Sequence, residues 1–151
     1  MEMALDEKRL ARVARKYALR FVILHGSAVR GRAHPDSDVD VAVVGTRPLD
    51  LQTQIRLAAD LGSVFGEVSA RELDVKALHQ VDPLFRYEVV RDGRLLCGDR
   101  AGYEEFKAFS VRAYDDARPL LELERALSRK FQRHLNTLVE RYQQARSSHA
   151  Q

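Results

Sequence analysis

A chain of 151 residues has the size of one domain built around one hydrophobic core. Its 45% apolar and 31% charged residues exclude a disordered chain, and no run approaches the 18 apolar residues of a membrane-spanning helix. The single cysteine, Cys97, excludes an internal disulfide, and a net charge of +3 is too small to mark a nucleic-acid binder by itself. Met1 to Tyr17 lacks the apolar centre of a signal peptide, and it carries Asp6 and Glu7, which a transit peptide avoids. A cytoplasmic protein without membrane association is expected.

Leu10, Val13, Ala14 and Tyr17 recur at helical spacing, so an amphipathic helix is expected over Leu5 to Ala18. Phe21 to Leu24 is a short apolar run with β-branched members, bounded by Gly26, and is expected to be a buried strand. Ser27 to Ser37 is small and polar with Gly31 and Pro35, which allows a turn and at most a short helix. Val39 to Val44 is the second strand, and Leu49 to Leu61 has helical periodicity ending at Gly62. Glu72 to Ala77 alternates as a third strand. Asp82-Pro83 opens a helix, with Asp as N-cap and Pro in the first turn, that ends near Asp92-Gly93. Leu95-Leu96 suggests a short edge strand.

Tyr103 to Asp115 is a further helix, and Asp116 and Pro119 imply a break and a fresh start. Beyond them Leu120, Leu123, Leu127, Phe131, Leu135, Leu138 and Tyr142 step by three or four, one apolar stripe on a long helix. From Arg118 to Gln151 seven Lys and Arg face three Glu, which fits either a solvated helix face or a basic partner surface. The expected fold is α/β (α+β): a small mixed sheet flanked by helices. Residues 1–98 would form its core and 99–151 a helical extension, packed on the core or on a partner.

The residues with chemical meaning lie between the first and second strands. A buried strand running straight into Gly26-Ser27 brings bare backbone close to a ligand, and a turn starting at Ser27 presents free N–H groups to phosphate oxygens. Arg30 and Arg32 follow and can neutralise the same charge. Asp38 and Asp40 share one strand face by alternation, and two such carboxylates repel unless a cation sits between them. Magnesium prefers this donor set, though solvated aspartates at the start of a strand would look the same. Asp74, between Leu73 and Val75, is expected in an apolar central strand, where burial would require a cation shared with Asp38 and Asp40; the alternative is an edge strand with Asp74 open to water.

Gly26-Ser27, ten residues, then Asp38-Val39-Asp40 resembles the GSx10DxD signature of the DNA polymerase β-type nucleotidyltransferase superfamily. The fuller pattern, with Arg30-Gly31 and Ser37, looks like its minimal nucleotidyltransferase (MNT) branch. The resemblance covers roughly Phe21 to Lys76, with Asp74 where the superfamily places a third carboxylate. It implies that Gly26, Ser27, Arg30 and Ser37 bind the nucleotide. Asp38, Asp40 and Asp74 would be both the metal ligands, holding two Mg²⁺ ions, and the catalytic residues. No motif position is degenerate, so an active, metal-dependent enzyme using ATP is expected. His25 precedes the motif and is read as structural; His34, His79, His134, His149 and Cys97 receive no role.

MNT proteins resemble the antitoxins of toxin–antitoxin pairs whose toxin is a HEPN ribonuclease. The resemblance implies transfer of AMP from ATP to a hydroxyl of that toxin, a tyrosine, within a hetero-oligomer. Two alternatives stay open: an antitoxin that acts by binding alone, and a small-molecule nucleotidyltransferase of the aminoglycoside type. Nucleic acid is not expected as the direct substrate.

Overall fold

The structure is a computed structural model that describes residues 5–29, 38–65 and 73–148. Along the chain lie α1 (Glu7–Lys16), β1 (Leu19–His25), a single 3-10 turn (Gly26–Ala28), β2 (Val39–Gly45), α2 (Leu51–Gly62) and β3 (Leu73–Ala77). They are followed by α3 (Pro83–Asp92), β4 (Arg94–Gly98) and α4 (Arg100–Ser148). The four strands form one sheet in the order β3-β2-β1-β4. β1 is antiparallel to both β2 and β4, and β2 is parallel to β3. The mixed sheet and its short last edge strand agree with the sequence reading.

Aspartates start the helices. The side chains of Asp6, Asp50 and Asp82 accept from the backbone N–H of Arg9, Thr53 and Phe85, satisfying donors that a first turn leaves unpaired. Pro83 fits the first turn of α3 because its missing N–H would have no partner there. Asp99 opens α4 in the same manner, accepting from Gly102 N at 2.7 Å.

Alternation along the strands builds a core on each side of the sheet. Val22 and Leu24 of β1, with Val41 and Val43 of β2, meet Leu10 and Val13 of α1 and Leu57 and Leu61 of α2. On the other side Phe21, Ile23, Ala42 and Val44 meet Val89 of α3 and Tyr103 of α4. Burying each large apolar side chain contributes roughly 1.5–3 kcal/mol. Lys16 and Tyr17 both donate to Asp60 Oδ2, at 2.7 and 2.8 Å, and tie the end of α1 to α2.

Two compact units are distinguishable, Met1–Tyr114 and Asp115–Gln151. The first four turns of α4 belong to the first unit, because Tyr103 is a core residue and Phe106 packs against the same cluster. The sequence reading broke the last helix at Asp116 and Pro119, and here it is corrected: α4 runs unbroken through Pro119. Proline removes one N–H and frees the carbonyl four residues back. Asp115 and Pro119 are both exposed, so water can satisfy that carbonyl and the helical stretches on either side maintain continuity. In the second unit every described side chain from Glu122 to Arg146 is exposed.

Candidate active site

The site is assembled at one end of the β1–β2 ladder. β1 ends at His25, whose register partner on β2 is Asp40. The chain then turns sharply at Gly26, with φ +74°, into the 3-10 turn that holds Ser27. A Cβ at Gly26 would overlap the Asp40 carboxylate. The turn therefore presses its backbone against the aspartate, and only glycine permits both the positive φ and the approach.

Asp40 is also the register partner of Asp74 on the parallel strand β3. His25, Asp40 and Asp74 thus form one row across three neighbouring strands. Paired positions on adjacent strands share a face and lie about 4.8 Å apart. Asp38 precedes Asp40 by two residues and shares that face. The face is the one closed further along by α3 and α4, where Ala42 and Val44 enter the core. The His25 ring meets Phe85 of α3 edge-on, with centroids 5.9 Å apart, at the rim of this apolar cover. Beyond the rim Asp40 is half-buried, and Asp38 and Asp74 are exposed.

One expectation is overturned. Asp74 was expected in an apolar central strand, where desolvation would demand a cation. β3 instead stands at the end of the strand order, and the Asp74 side chain is 48% exposed. Lys76 Nζ lies 3.1 Å from Asp74 Oδ1 and already supplies a counter-charge. The desolvation argument falls; parallel register, not burial, brings Asp74 to Asp40. Lys76 shares the Asp74 face by strand alternation, but its ion pair carries no signal in the sequence. Arg30 and Ser37 lie outside the described residues.

The donor set suits a hard divalent cation. Magnesium is commonly held by one or two carboxylates together with substrate phosphate oxygens and water, and Asp40 beside Asp74 is a donor pair of that kind. Among the described residues no three His, Cys, Asp or Glu side chains gather closely enough to hold one ion alone. Cys97 is not a rival centre, since burial pushes its thiol above the ordinary value and disfavours the thiolate. His79 is structural: its Nε2 lies 2.9 Å from the carbonyl of Gly45.

Residues 8–101, well over half of the chain, match the family described as polymerase beta, nucleotidyltransferase. The chain belongs to that family. The matched span includes Gly26, Ser27, Asp38, Asp40 and Asp74, and the sequence expectation of a metal-dependent nucleotidyltransferase fold holds. Among curated proteins it is similar to the protein adenylyltransferase MntA of Shewanella oneidensis, with 27% identity over 112 residues covering 73% of this chain and 78% of that protein. Among solved structures it is similar to a toxin–antitoxin chain crystallised with AMP-PNP. The TM-score there is 0.64 at 24% identity, covering 78% of this chain and 97% of the other. It is also similar to a chain from a Shewanella oneidensis complex of tri-AMPylated HEPN toxin with MNT antitoxin, with a TM-score of 0.58 at 21% identity, covering 77% and 92%. No helix among the described residues is long and apolar enough to cross a membrane.

Proposed function

We propose that this nucleotidyltransferase is the antitoxin of a HEPN ribonuclease toxin. In this reading it silences the toxin by transferring AMP from ATP to a tyrosine hydroxyl. The observation that carries the reading is the register that sets Asp74 beside Asp40, directly against the Gly26-Ser27 turn. The similarity to an adenylyltransferase and to antitoxin chains in HEPN complexes supports the choice of nucleotide and acceptor.

In this reading the backbone at Gly26 and Ser27, with Arg30 and Ser37, receives the triphosphate. Asp38, Asp40 and Asp74 would hold divalent metal, two Mg²⁺ ions, which neutralises phosphate charge and acidifies the acceptor hydroxyl. The tyrosine oxygen forms a bond to the α-phosphorus while the bond to the β-bridging oxygen breaks, and pyrophosphate departs. Asp74, the more exposed carboxylate of the pair, would take the acceptor's proton. Lys76 must then release Asp74. Residues 1–98 would carry the chemistry and 99–151 the extension, whose first part, up to Tyr114, packs into the first unit. A cytoplasmic site of action fits the need for ATP and Mg²⁺.

The test uses the full chain with a HEPN ribonuclease toxin as acceptor. With ATP and Mg²⁺, intact-mass spectrometry should show the toxin gaining the mass of one or more AMP units. The double variant Asp38→Asn, Asp40→Asn should still associate with the toxin yet leave its mass unchanged and fail to rescue growth. Rescue by that variant with an unmodified toxin would establish action by binding alone.

A further inference from the structure

The second unit displays an apolar stripe with its own symmetry. Leu127 is 57%, Phe131 63% and Leu138 46% exposed, and Leu120, Leu135 and Tyr142 continue the line. From Leu120 to Tyr142 the stripe runs about 33 Å along α4 at the usual rise per residue. A continuous apolar band of this kind marks an interaction site rather than ordinary surface. Charged residues such as Glu122, Arg129, Arg133 and Glu140 fall on the opposite face of the helix.

We propose that this stripe is covered by a second copy of the same chain, running antiparallel, with the two-fold axis at Phe131. A two-fold interface uses one patch against itself, so an antiparallel helix pair requires spacing that reads alike from both ends. Four, seven, eleven and fourteen residues to either side of Phe131 stand Leu127 and Leu135, Glu124 and Leu138, Leu120 and Tyr142, and Ala117 and Ala145. Each half steps by four and three, the heptad seam of paired helices. The halves meet at Phe131 in a four-residue step that locally unwinds the supercoil, at the same place in both copies.

Glu124, the one charge within the seam, decides the direction. In a parallel pair it would face its own counterpart, two like charges in an apolar contact. In the antiparallel pair it faces Leu138, and the two glutamates lie far apart. Comparative length argues against the toxin as occupant. The toxin–antitoxin chain crystallised with AMP-PNP is matched over 97% of its length by 78% of this chain, and the family match ends at residue 101. The surplus is the size of the unit Asp115–Gln151. The matched chain of that toxin–antitoxin structure has no counterpart for the rest of this chain.

The test is the mass of the full chain in solution by light scattering. A dimer is expected, converted to monomer by Leu127→Glu with Phe131→Glu, both exposed positions where the fold is not at risk. In a Cys97→Ser background, Phe131→Cys should form a disulfide-linked dimer under mild oxidation. Leu120→Cys and Tyr142→Cys should each fail to cross-link alone and should cross-link when mixed. A native chain that is monomeric at high micromolar concentration overturns the proposal, as does a dimer indifferent to the two glutamates. Self-cross-linking of Leu120→Cys and of Tyr142→Cys would mean a parallel pair. A stripe that becomes protected only when toxin is added would assign it to that partner instead.

Discussion

The backbone of Gly26 lies against the carboxylate of Asp40 with no space between them for a side chain. The turn proposed to receive phosphate and the aspartate proposed to receive metal are therefore held together by one contact.

Gly26→Ala should disturb both functions at once. The new methyl meets the Asp40 carboxylate, and alanine resists a φ of +74°. The expected cost is about 1–3 kcal/mol of stability and a loss of ATP affinity of at least about tenfold. Calorimetric titration with ATP and thermal unfolding check this. Unchanged affinity would show that the turn relaxes away from Asp40 without consequence.

Asp74 and Lys76 should respond in opposite directions. Asp74→Asn should lower transfer by about a hundredfold or more while ATP binding changes little, because it removes a contact needed chiefly in the transition state. Lys76→Met frees Asp74 from an exposed ion pair worth at most about 1 kcal/mol, so affinity for Mn²⁺ should rise about two- to fivefold. Intact-mass spectrometry of the acceptor reads the transfer, and calorimetry with Mn²⁺ and nucleotide reads the affinities. Weaker metal binding in Lys76→Met would mean that Lys76 assists the site rather than competing for Asp74.

Tyr103 places a limit on alkaline stability. Its hydroxyl is buried with no hydrogen-bond partner among the described residues, and its ring meets Phe21 edge-on at 5.6 Å. Burial, and secondarily Glu104, pushes its pKa up to about 12. The folded state thus favours the neutral phenol. Stability is intact below the ordinary value near 10 and is lost as pH rises from there to about 12. Tyr103→Phe should lack that loss, and at neutral pH it should be neutral or more stable by up to about 1 kcal/mol. Urea midpoints of both proteins at neutral and strongly alkaline pH decide; a clear destabilisation at neutral pH would show that the hydroxyl does find a partner.

Asp60 sets the acid limit. Hydrogen bonds from Lys16 first and Tyr17 second hold its carboxyl below the ordinary value of 3.8. Its contribution is therefore present above that value and disappears as pH falls below it, through the depressed folded value. Melting temperatures of wild type and Asp60→Asn should converge in strong acid and separate near neutrality. Parallel curves across the whole range would dismiss the link.

Much of this was legible in the residues. The capping aspartates, the alternation of Val22 and Leu24 against Phe21 and Ile23, and the Gly26-Ser27 to Asp38-Asp40 spacing are local patterns, and local patterns survive folding. What eluded the sequence was non-local. Asp74 between two apolar neighbours suggests burial, but burial depends on which strand lies beside β3, and a single strand's pattern does not reveal that. The Lys76–Asp74 pair depends on the same exposure. Pro119 marked a break by its local cost, yet that cost falls where water can absorb it, close to the boundary between the two units.

The parallel pairing of β2 with β3 has a consequence for the order in which the site comes into being. β1 and β2 are direct antiparallel neighbours, whereas β3 reaches β2 only after the crossover through α2. Pairings more distant in sequence carry a larger closure entropy and form later. A ribosome-bound chain that has emerged only as far as α2 already aligns Gly26, Ser27, Asp38 and Asp40, but its Asp74 has yet to arrive. If the proposed function holds, such an immature protein should bind a triphosphate at its turn and transfer nothing.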